Sequence, residues 1–235
     1  MTLPGKETDK RAVAERMSEL WQPLSEAQRA YLTAHIELCR YQKDDLIYGE
    51  GEVPQHLSCL LQGKVKIFKD GIGGRHQIVR MVRPVGYFGY RAGFALENYL
   101  TSASAFEPSV VCRVEMEAVK QLIRENHDVA IFFIRQLSSH LGNADERTVN
   151  LTQKHVRGRL AEALLTLKDN YGVEDDGQTL GIRLRREELA SLSNMTTSNA
   201  IRTLSQFTDE GLIATDGRRI RLLREHELHR ISELG

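Results

Sequence analysis

The strongest constraint on the fold of this chain lies in residues 185–204, which have the spacing of a helix-turn-helix. Asn194 stands where the chain must turn sharply, because Asn tolerates the left-handed backbone conformation that most residues avoid. Thr196 is a good N-cap for a second helix. Four apolar residues are spaced to pack between the two helices. They are Leu189, Ala190, Ala200 and Leu204. The segment therefore predicts two helices that cross closely at a sharp turn.

The residues that begin the second helix predict contact with duplex DNA. Their side chains would project outward, and in a helix-turn-helix these positions enter the major groove. They are Thr196, Thr197, Ser198, Asn199 and Arg202. Arg202 can donate two hydrogen bonds to a guanine edge, whereas the shorter side chains read bases less selectively. The alternative is an ordinary helical hairpin with a polar outer face.

A basic hairpin after the second helix favours DNA binding over that alternative. Asp216-Gly217 is a strong turn signal between two short runs of strand-forming residues. Arg218 and Arg219 would contact phosphates from this wing. The chain has no net charge, but residues 183–224 contain eight Arg against five Asp and Glu. Phosphate contacts need such a local excess and not a basic protein overall.

Cysteine usage and hydropathy predict a cytoplasmic protein without a metal centre. Cys39, Cys59 and Cys112 are far apart and odd in number, so we expect buried thiols and no disulfide, zinc or iron–sulfur site. The amino terminus is rich in charged residues and lacks an apolar core, so we expect no signal peptide. No apolar run approaches the length of a membrane span, and we expect no membrane contact.

The first half of the chain predicts short helices followed by a small antiparallel β-roll or jelly roll. Residues 11–38 carry helical spacing, which predicts two helices broken at Pro23. Between residues 41 and 114, glycines that include Gly73 and Gly74 separate short apolar runs at intervals of roughly ten residues. Closely spaced short strands with glycine turns are typical of barrels and jelly rolls.

A long helix with a coiled-coil seam predicts a homodimer. Seven seam residues are spaced alternately by four and three positions, as in two helices that pack along their length. They are Ala130, Ile134, Leu137, Leu141, Ala144, Thr148 and Leu151. The alternative is a helix that only packs on its own barrel. We expect both, because Val129, Phe132 and Phe133 lie off the seam and could face the barrel.

The predicted fold class is α+β, with a sensor domain of antiparallel strands, a long dimerisation helix with its hinge, and a winged helix-turn-helix. These parts cover residues 1–118, 119–153 and 154–235. Four short segments add detail to this order: residues 60–65 (LLQGKV), 86–89 (GYFG), 156–161 (VRGRLA) and 209–213 (DEGLI). In both order and segments the chain resembles the Crp/Fnr family of bacterial transcription regulators.

The resemblance implies a mechanism. A small effector would enter a pocket between the β-roll and the long helix, shift the helix pair and reorient the DNA-binding domains. A homodimer would place its two recognition helices about one turn of DNA apart, roughly 34 Å, on an inverted-repeat operator. RNA polymerase is a further expected partner, and no catalytic or metal-binding residue is implied.

The pocket residues implied by the resemblance differ from those that bind cyclic AMP. They are Gly89, Tyr90, Arg91, Leu100, Thr101, His140 and Ala144. Cyclic AMP binders have Glu after the glycine and Arg about ten residues later, whereas this chain has Tyr90 and Leu100. Loss of a buried phosphate's cation costs several kcal/mol. We therefore expect an effector other than cyclic AMP. Arg91 could supply another cation, or could form a surface ion pair.

Two alternative functions remain open, and a third is disfavoured. The protein could be a ligand-independent regulator whose pocket is closed by Tyr90 and Leu100. It could be a haem-based gas sensor with His76 or His140 as axial ligand. An enzyme on a barrel scaffold is disfavoured, because the run Glu225-His226-Glu227-Leu228-His229 lacks the two-histidine spacing of a zinc protease helix.

Overall fold

The computed structural model describes residues 10–71 and 76–234. The predicted glycine turn at Gly73 and Gly74, and the amino-terminal segment on which the signal-peptide expectation rests, lie outside these residues. The described residues fall into two units, drawn from Met1–Lys69 with Val79–Leu141 and from Asp70–Ile78 with Gly142–Gly235. The three-part division made from the sequence stays a prediction.

Three short helices begin the first unit. They are α1 (Lys10–Glu15), α2 (Ser18–Trp21) and α3 (Glu26–Ala34). Ser25 and Gln28 cap α3 reciprocally, side chain to backbone, which explains why a helix restarts just after Pro23. The predicted break at Pro23 is therefore correct, but the region holds one helix more than expected. The helical spacing to residue 38 was wrong, because Ile36 already begins a strand that pairs with a neighbouring strand.

Eight antiparallel strands form the β-roll that the sequence predicts. They are β1 (Ile36–Tyr41), β2 (Leu46–Tyr48), β3 (His56–Gln62), β4 (Val65–Asp70), β5 (His76–Val82), β6 (Tyr87–Phe88), β7 (Ser102–Ala105) and β8 (Ser109–Glu115). One four-stranded sheet has the order β1-β8-β3-β6, and the other has the order β2-β7-β4-β5. A short helix, α4 (Tyr90–Ala95), follows β6.

Two apolar clusters hold this unit together. One lies between the sheets and includes Leu60, Val65, Phe88 and Val111. The other joins the first sheet to the amino-terminal helices and to the helices that follow the β-roll. Cys59 and Cys112 are fully buried there, as expected of small apolar residues, and Cys39 is half-buried; all three thiols are free.

Two helices follow the β-roll, α5 (Met116–Glu125) and α6 (His127–Gln153). Asn126 separates them: its side-chain amide donates to the Pro23 carbonyl at 3.0 Å, and its side-chain oxygen accepts from the backbone N–H of Asp128 at 3.0 Å. Val129, Phe132 and Phe133 at the start of α6 are buried in the apolar cluster of the β-roll unit, as predicted.

The second unit contains the predicted winged helix-turn-helix. Its further elements are α7 (Val156–Tyr171), α8 (Arg186–Leu192), α9 (Thr197–Asp209), β9 (Ile213–Asp216), β10 (Arg219–Leu222) and α10 (Glu225–Leu234). Helix α10 packs against α7, α8 packs against α9, and β9 pairs antiparallel with β10. Among the described helices, none is long and apolar enough to cross a membrane.

Candidate functional site

The turn between α8 and α9 has the backbone geometry that the sequence predicts. Asn194 has a φ of 47°, in the left-handed region. Two backbone hydrogen bonds close the turn: Asn194 N–H donates to Ser191 at 3.2 Å, and Met195 N–H donates to Ala190 at 3.0 Å. The apolar residues at the crossing are buried. They are Leu189, Ala190, Ala200 and Leu204. This packing fixes the direction in which the outer face of α9 points.

The predicted base-reading residues lie together on the first turns of α9. The Thr196 hydroxyl accepts a hydrogen bond from the Asn199 N–H at 3.3 Å and so caps the helix. Ser198 and Arg202 are exposed, and Thr197 is half-exposed. The Arg202 guanidinium donates to the Asn199 side-chain oxygen at 2.8 Å. The sequence-predicted residues therefore form one polar surface that the protein does not cover within its described residues.

Glu210, the acid that could have tied Arg202 into the fold, is held by another residue. Both nitrogens at the end of the Arg157 side chain donate to the Glu210 carboxylate at 2.7 Å. The same guanidinium lies over the Phe207 ring, 5.0 Å from its centre. This pairing raises the pKa of Arg157 and lowers the pKa of Glu210. Arg202 is thereby left to the surface, while Arg157 stabilises the end of α9.

Ile201 is a candidate base-reading residue that the sequence reasoning missed. It is 49% exposed, although it is a large apolar residue. Its position three residues after Ser198 and four after Thr197 places it on the same face of α9. An apolar side chain at this face can contact the methyl group of thymine. The available signal was a β-branched apolar residue next to the buried Ala200, outside the inward-facing stripe.

The wing forms as predicted, but its two arginines have different surroundings. Gly217 at the turn has a φ of 55°, which suits glycine. Arg219 is paired with Glu174. Arg218 is exposed, and no acid within the described residues forms an ion pair with it. Arg218 is therefore the freer cation for a phosphate.

The acidic loop before the wing is tied to the arginines around it. Glu174 also lies 3.5 Å from Arg183, and Asp176 lies 3.7 Å from Arg221. Asp176 accepts hydrogen bonds from the Thr179 hydroxyl and from backbone N–H groups, and these bonds lower its pKa to about 2. The loop thus offsets part of the positive charge that the arginine count predicted for this surface.

In the β-roll unit, α4 begins at a glycine that the backbone requires. Gly89 has a φ of 83°. A Cβ atom there would lie 3.2 Å from the His56 carbonyl and 3.3 Å from the Tyr99 hydroxyl, closer than most side chains tolerate. Tyr90, the next residue, is almost fully buried against the rings of Phe94 and Phe133. The glycine turn therefore aims Tyr90 inward.

The interior of the β-roll is closed by residues other than those we expected. Tyr48 and Tyr99 stack with ring centres 3.9 Å apart, and both are buried. Burial raises the pKa of Tyr48. Leu100 is 55% exposed, so the proposed closure by Leu100 is wrong.

The remaining predicted pocket residues are spread over the surface. Arg91 forms an exposed ion pair with Glu97 at 3.3 Å, the alternative that we weighed against a role in binding. Ala144 is exposed on α6. His76, one of the two haem candidates, is exposed and paired with Asp70. Of the seven predicted pocket residues, Tyr90 and His140 are brought into direct contact.

A cluster of the buried Tyr90 with the partly buried Arg80 and His140 joins β5, α4 and α6. The Arg80 guanidinium donates to Nε2 of His140 and, at 3.1 Å, to the Tyr87 carbonyl. Nδ1 of His140 lies 3.1 Å from the Tyr90 hydroxyl. Burial, and then the charge of Arg80, lower the pKa of His140 to about 4, while burial raises the pKa of Tyr90 to about 12. Both side chains are therefore neutral near pH 7.

Arg80 was missed by the sequence reasoning, although its strand carried a signal. Ile78 and Val82, two residues before and after it, are both buried apolar residues. Side chains two positions apart in a strand share a face. An arginine in the middle of an inward-facing apolar stripe indicates a functional or tightly paired group. Because both ring nitrogens of His140 are engaged, the cluster also argues against His140 as a haem ligand.

The predicted seam of α6 carries exposed apolar side chains. Ile134 and Leu141 are 56% and 64% exposed within one chain. Leu137 between them is half-buried, and it packs partly on the apolar cluster of the β-roll unit. Exposed leucine and isoleucine at seven-residue spacing are the pattern of a helix that packs against a second helix.

Two family models match the chain. Residues 38–126 match the cyclic nucleotide-binding domain, and residues 158–231 match the Crp-like helix-turn-helix domain. The two matches cover the β-roll with α5 and the DNA-binding elements that the geometry above describes.

Proteins similar to this chain include transcription regulators. The cAMP-activated global transcriptional regulator CRP of Pasteurella multocida is 25% identical over 192 residues, which cover 81% of this chain and 91% of that protein. A CRP-family transcriptional regulator from Thermus thermophilus has a solved structure with a TM-score of 0.69 and 27% identity, covering 83% of this chain and 96% of that one. FixK2 from Bradyrhizobium japonicum shares the fold, with a TM-score of 0.75, 24% identity and coverage of 83% and 96%.

Proposed function

Because this chain belongs to the Crp/Fnr family of DNA-binding transcription regulators, we propose that it acts as a homodimer on an inverted-repeat operator. The observation that carries the proposal is the uncovered polar face at the start of α9, with Arg202 free of Glu210. A small effector in the β-roll unit would control it. RNA polymerase would be its protein partner, in the cytoplasm, where operator DNA lies.

Selection of binding sites from random duplex DNA tests this function directly. The full chain should enrich an inverted repeat whose half-sites lie about one helical turn apart, roughly 34 Å from centre to centre. The wing and helix face of each subunit would then meet equivalent half-sites. Enrichment of a single half-site or a direct repeat would contradict the symmetric homodimer.

Dimerisation is supported by the exposed seam of α6. Ile134 and Leu141 would each remove an apolar side chain from water on packing against the same residues of a second copy. The small residues Ala130 and Ala144 at two further seam positions allow the helices to approach closely. Gly142, beside the seam, has open space where a side chain would lie.

The effector that we propose is not cyclic AMP. The position of the acid that would hold the ribose is occupied by the buried Tyr90, and the position of the cation is occupied by the exposed Leu100. The stacked rings of Tyr48 and Tyr99 fill space inside the β-roll. A calorimetric titration should therefore show no binding of cyclic AMP at micromolar concentrations, and operator affinity should not change when it is added. Micromolar binding would contradict the assignment.

A second candidate function is a regulator that needs no effector. The Tyr48–Tyr99 stack favours it, since these buried rings fill space inside the β-roll. The two candidates differ in whether a small molecule copurifies with the protein or raises its melting temperature. A ligand that does either, and also changes operator affinity, supports effector control.

A further inference from the structure

Arg80 is a partly buried cation without a carboxylate partner among the described residues. It lies on the inward face of β5, between the apolar side chains of Ile78 and Val82. Its hydrogen-bond partners are an imidazole ring and a backbone carbonyl, and both are neutral. Burial lowers the pKa of Arg80, and the groups that oppose this shift are the phenols of Tyr90 and Tyr48, not a carboxylate. A guanidinium nevertheless stays protonated in proteins.

The hydrogen bonds within the cluster leave donor groups of Arg80 and Tyr90 available to an acceptor. Because Nε2 of His140 accepts from Arg80, the neutral ring carries its hydrogen on Nδ1. Nδ1 then donates to the Tyr90 oxygen, 3.1 Å away. The phenolic hydrogen of Tyr90 is left for another acceptor. Arg80 itself has five N–H donors, and its contacts within the described residues engage two nitrogens at the end of the fork.

The surroundings add positive charge and further polar groups. Tyr48 lies close enough for both Arg80 and Arg91 to act on its phenol. Arg91 meets Glu97 in an exposed ion pair, where solvent weakens the neutralisation. A buried positive charge with neutral partners is costly, and an anion that reaches it relieves that cost.

We propose that Arg80, with the hydroxyl of Tyr90 positioned by His140, binds the carboxylate or phosphate group of a small anionic effector. This proposal rests on the proposed control by an effector, and it specifies that the effector carries an oxyanion. It places the recognising cation on β5, facing α6, instead of at the position of Leu100. Because the three side chains come from β5, α4 and α6, an oxyanion bound to them would couple the β-roll to the helix that carries the dimer seam.

Melting curves of the full-length protein test the site without DNA. Potassium phosphate and potassium succinate serve as probes, each compared with potassium chloride at equal ionic strength. The wild type should show a saturable rise in melting temperature with at least one probe. A rise with phosphate alone identifies a phosphoryl group, a rise with succinate alone identifies a carboxylate, and a rise with both identifies a site for either oxyanion.

Three variants separate binding at the cluster from general salt effects. Arg80→Gln and Tyr90→Phe should each weaken the response by at least about tenfold in apparent affinity, since each removes a charge-assisted hydrogen bond. Arg11→Gln, the matched control in an exposed ion pair with Glu26, should respond like the wild type. Stabilisation by ion exclusion from the surface would appear equally in all four proteins. If Arg80→Gln does not fold, Tyr90→Phe decides, because the ring keeps its packing.

The inference is overturned if neither probe raises the melting temperature beyond chloride, or if a folded variant of Arg80 or Tyr90 responds like the wild type. Neither outcome affects the proposed DNA binding, which the selection experiment measures separately. If an anion binds through Arg80 but leaves operator affinity unchanged, the site stands and effector control by that anion fails.

Discussion

Replacement of Arg202 by Ala tests whether the outer face of α9 reads bases. Arg202 is exposed, and its hydrogen bond within the described residues goes to Asn199, one turn earlier, at 2.8 Å. Removal of an exposed pair of this kind should change the free energy of unfolding by no more than ~0.5 kcal/mol. Loss of a bidentate contact to guanine should instead cost about 1–3 kcal/mol per half-site, roughly 5- to 140-fold in Kd.

Arg157→Ala is the matched control. It also removes an arginine from the DNA-binding domain, but we expect it to lower stability and to leave base preference unchanged. Arg157 holds Glu210 through two hydrogen bonds of 2.7 Å and lies over Phe207. Its loss should lower the free energy of unfolding by about 1–2 kcal/mol, from the ion pair and the cation–π contact together. Base preference should not change, since the side chain is outside the predicted groove-facing surface.

Fluorescence anisotropy measures the affinity of each variant for the selected operator and for single-mismatch operators. Melting curves measure the stability of the same variants. Arg202→Ala should lose discrimination at one base pair of each half-site while its melting curve stays that of the wild type. If it keeps the same base preference at every position, the groove assignment of α9 is wrong. If it destabilises the protein as Arg157→Ala does, Arg202 has a structural role instead.

Three further changes test the seam, the wing and the cluster of Arg80, Tyr90 and His140. Leu141→Asp should raise the dissociation constant of the dimer by at least about hundredfold, because two apolar contacts are lost and two like charges meet. An unaltered dimer in sedimentation would show that the seam is assigned wrongly. Arg218→Ala should reduce the slope of log Kd against log salt concentration by roughly 0.9 for each lost phosphate contact. Arg219→Ala should reduce this slope less, because Arg219 is paired with Glu174. Equal slopes in the two variants would argue against this difference. The pKa of His140 is about 4 in the folded protein, whereas in the unfolded chain it is near 6.5. Between these pH values only the unfolded chain binds a proton on this residue, which favours unfolding. The wild type should therefore lose stability relative to His140→Gln as the pH falls from 6.5 to 4. The loss should stay well below ~3 kcal/mol, because solvent screens a half-buried ring, and parallel denaturation curves across this range would contradict the shifted pKa.

The sequence alone determined the local structure of the DNA-binding domain. Asn194 and Gly217 occupy the two left-handed turn positions that their types predict, and Thr196 caps the helix it was expected to cap. These features depend on neighbours within a few residues, so the pattern of one short segment is sufficient to predict them. The same holds for the antiparallel β-roll, whose glycine turns and short apolar runs are local signals.

The tertiary structure decided which charged and aromatic groups meet. Arg80 and His140 are 60 positions apart, and only the fold brings β5 against α6 and makes them a partly buried pair. The acid at Glu210 could have paired with Arg202 or Arg157, and the packing of α7 against α9 selected Arg157. Ile36 was assigned to a helix because its spacing from Leu32 fits one, but pairing with Val114 on β8 made it a strand residue. Local spacing contains no information on such distant partners, and the energy of a buried charge depends entirely on them.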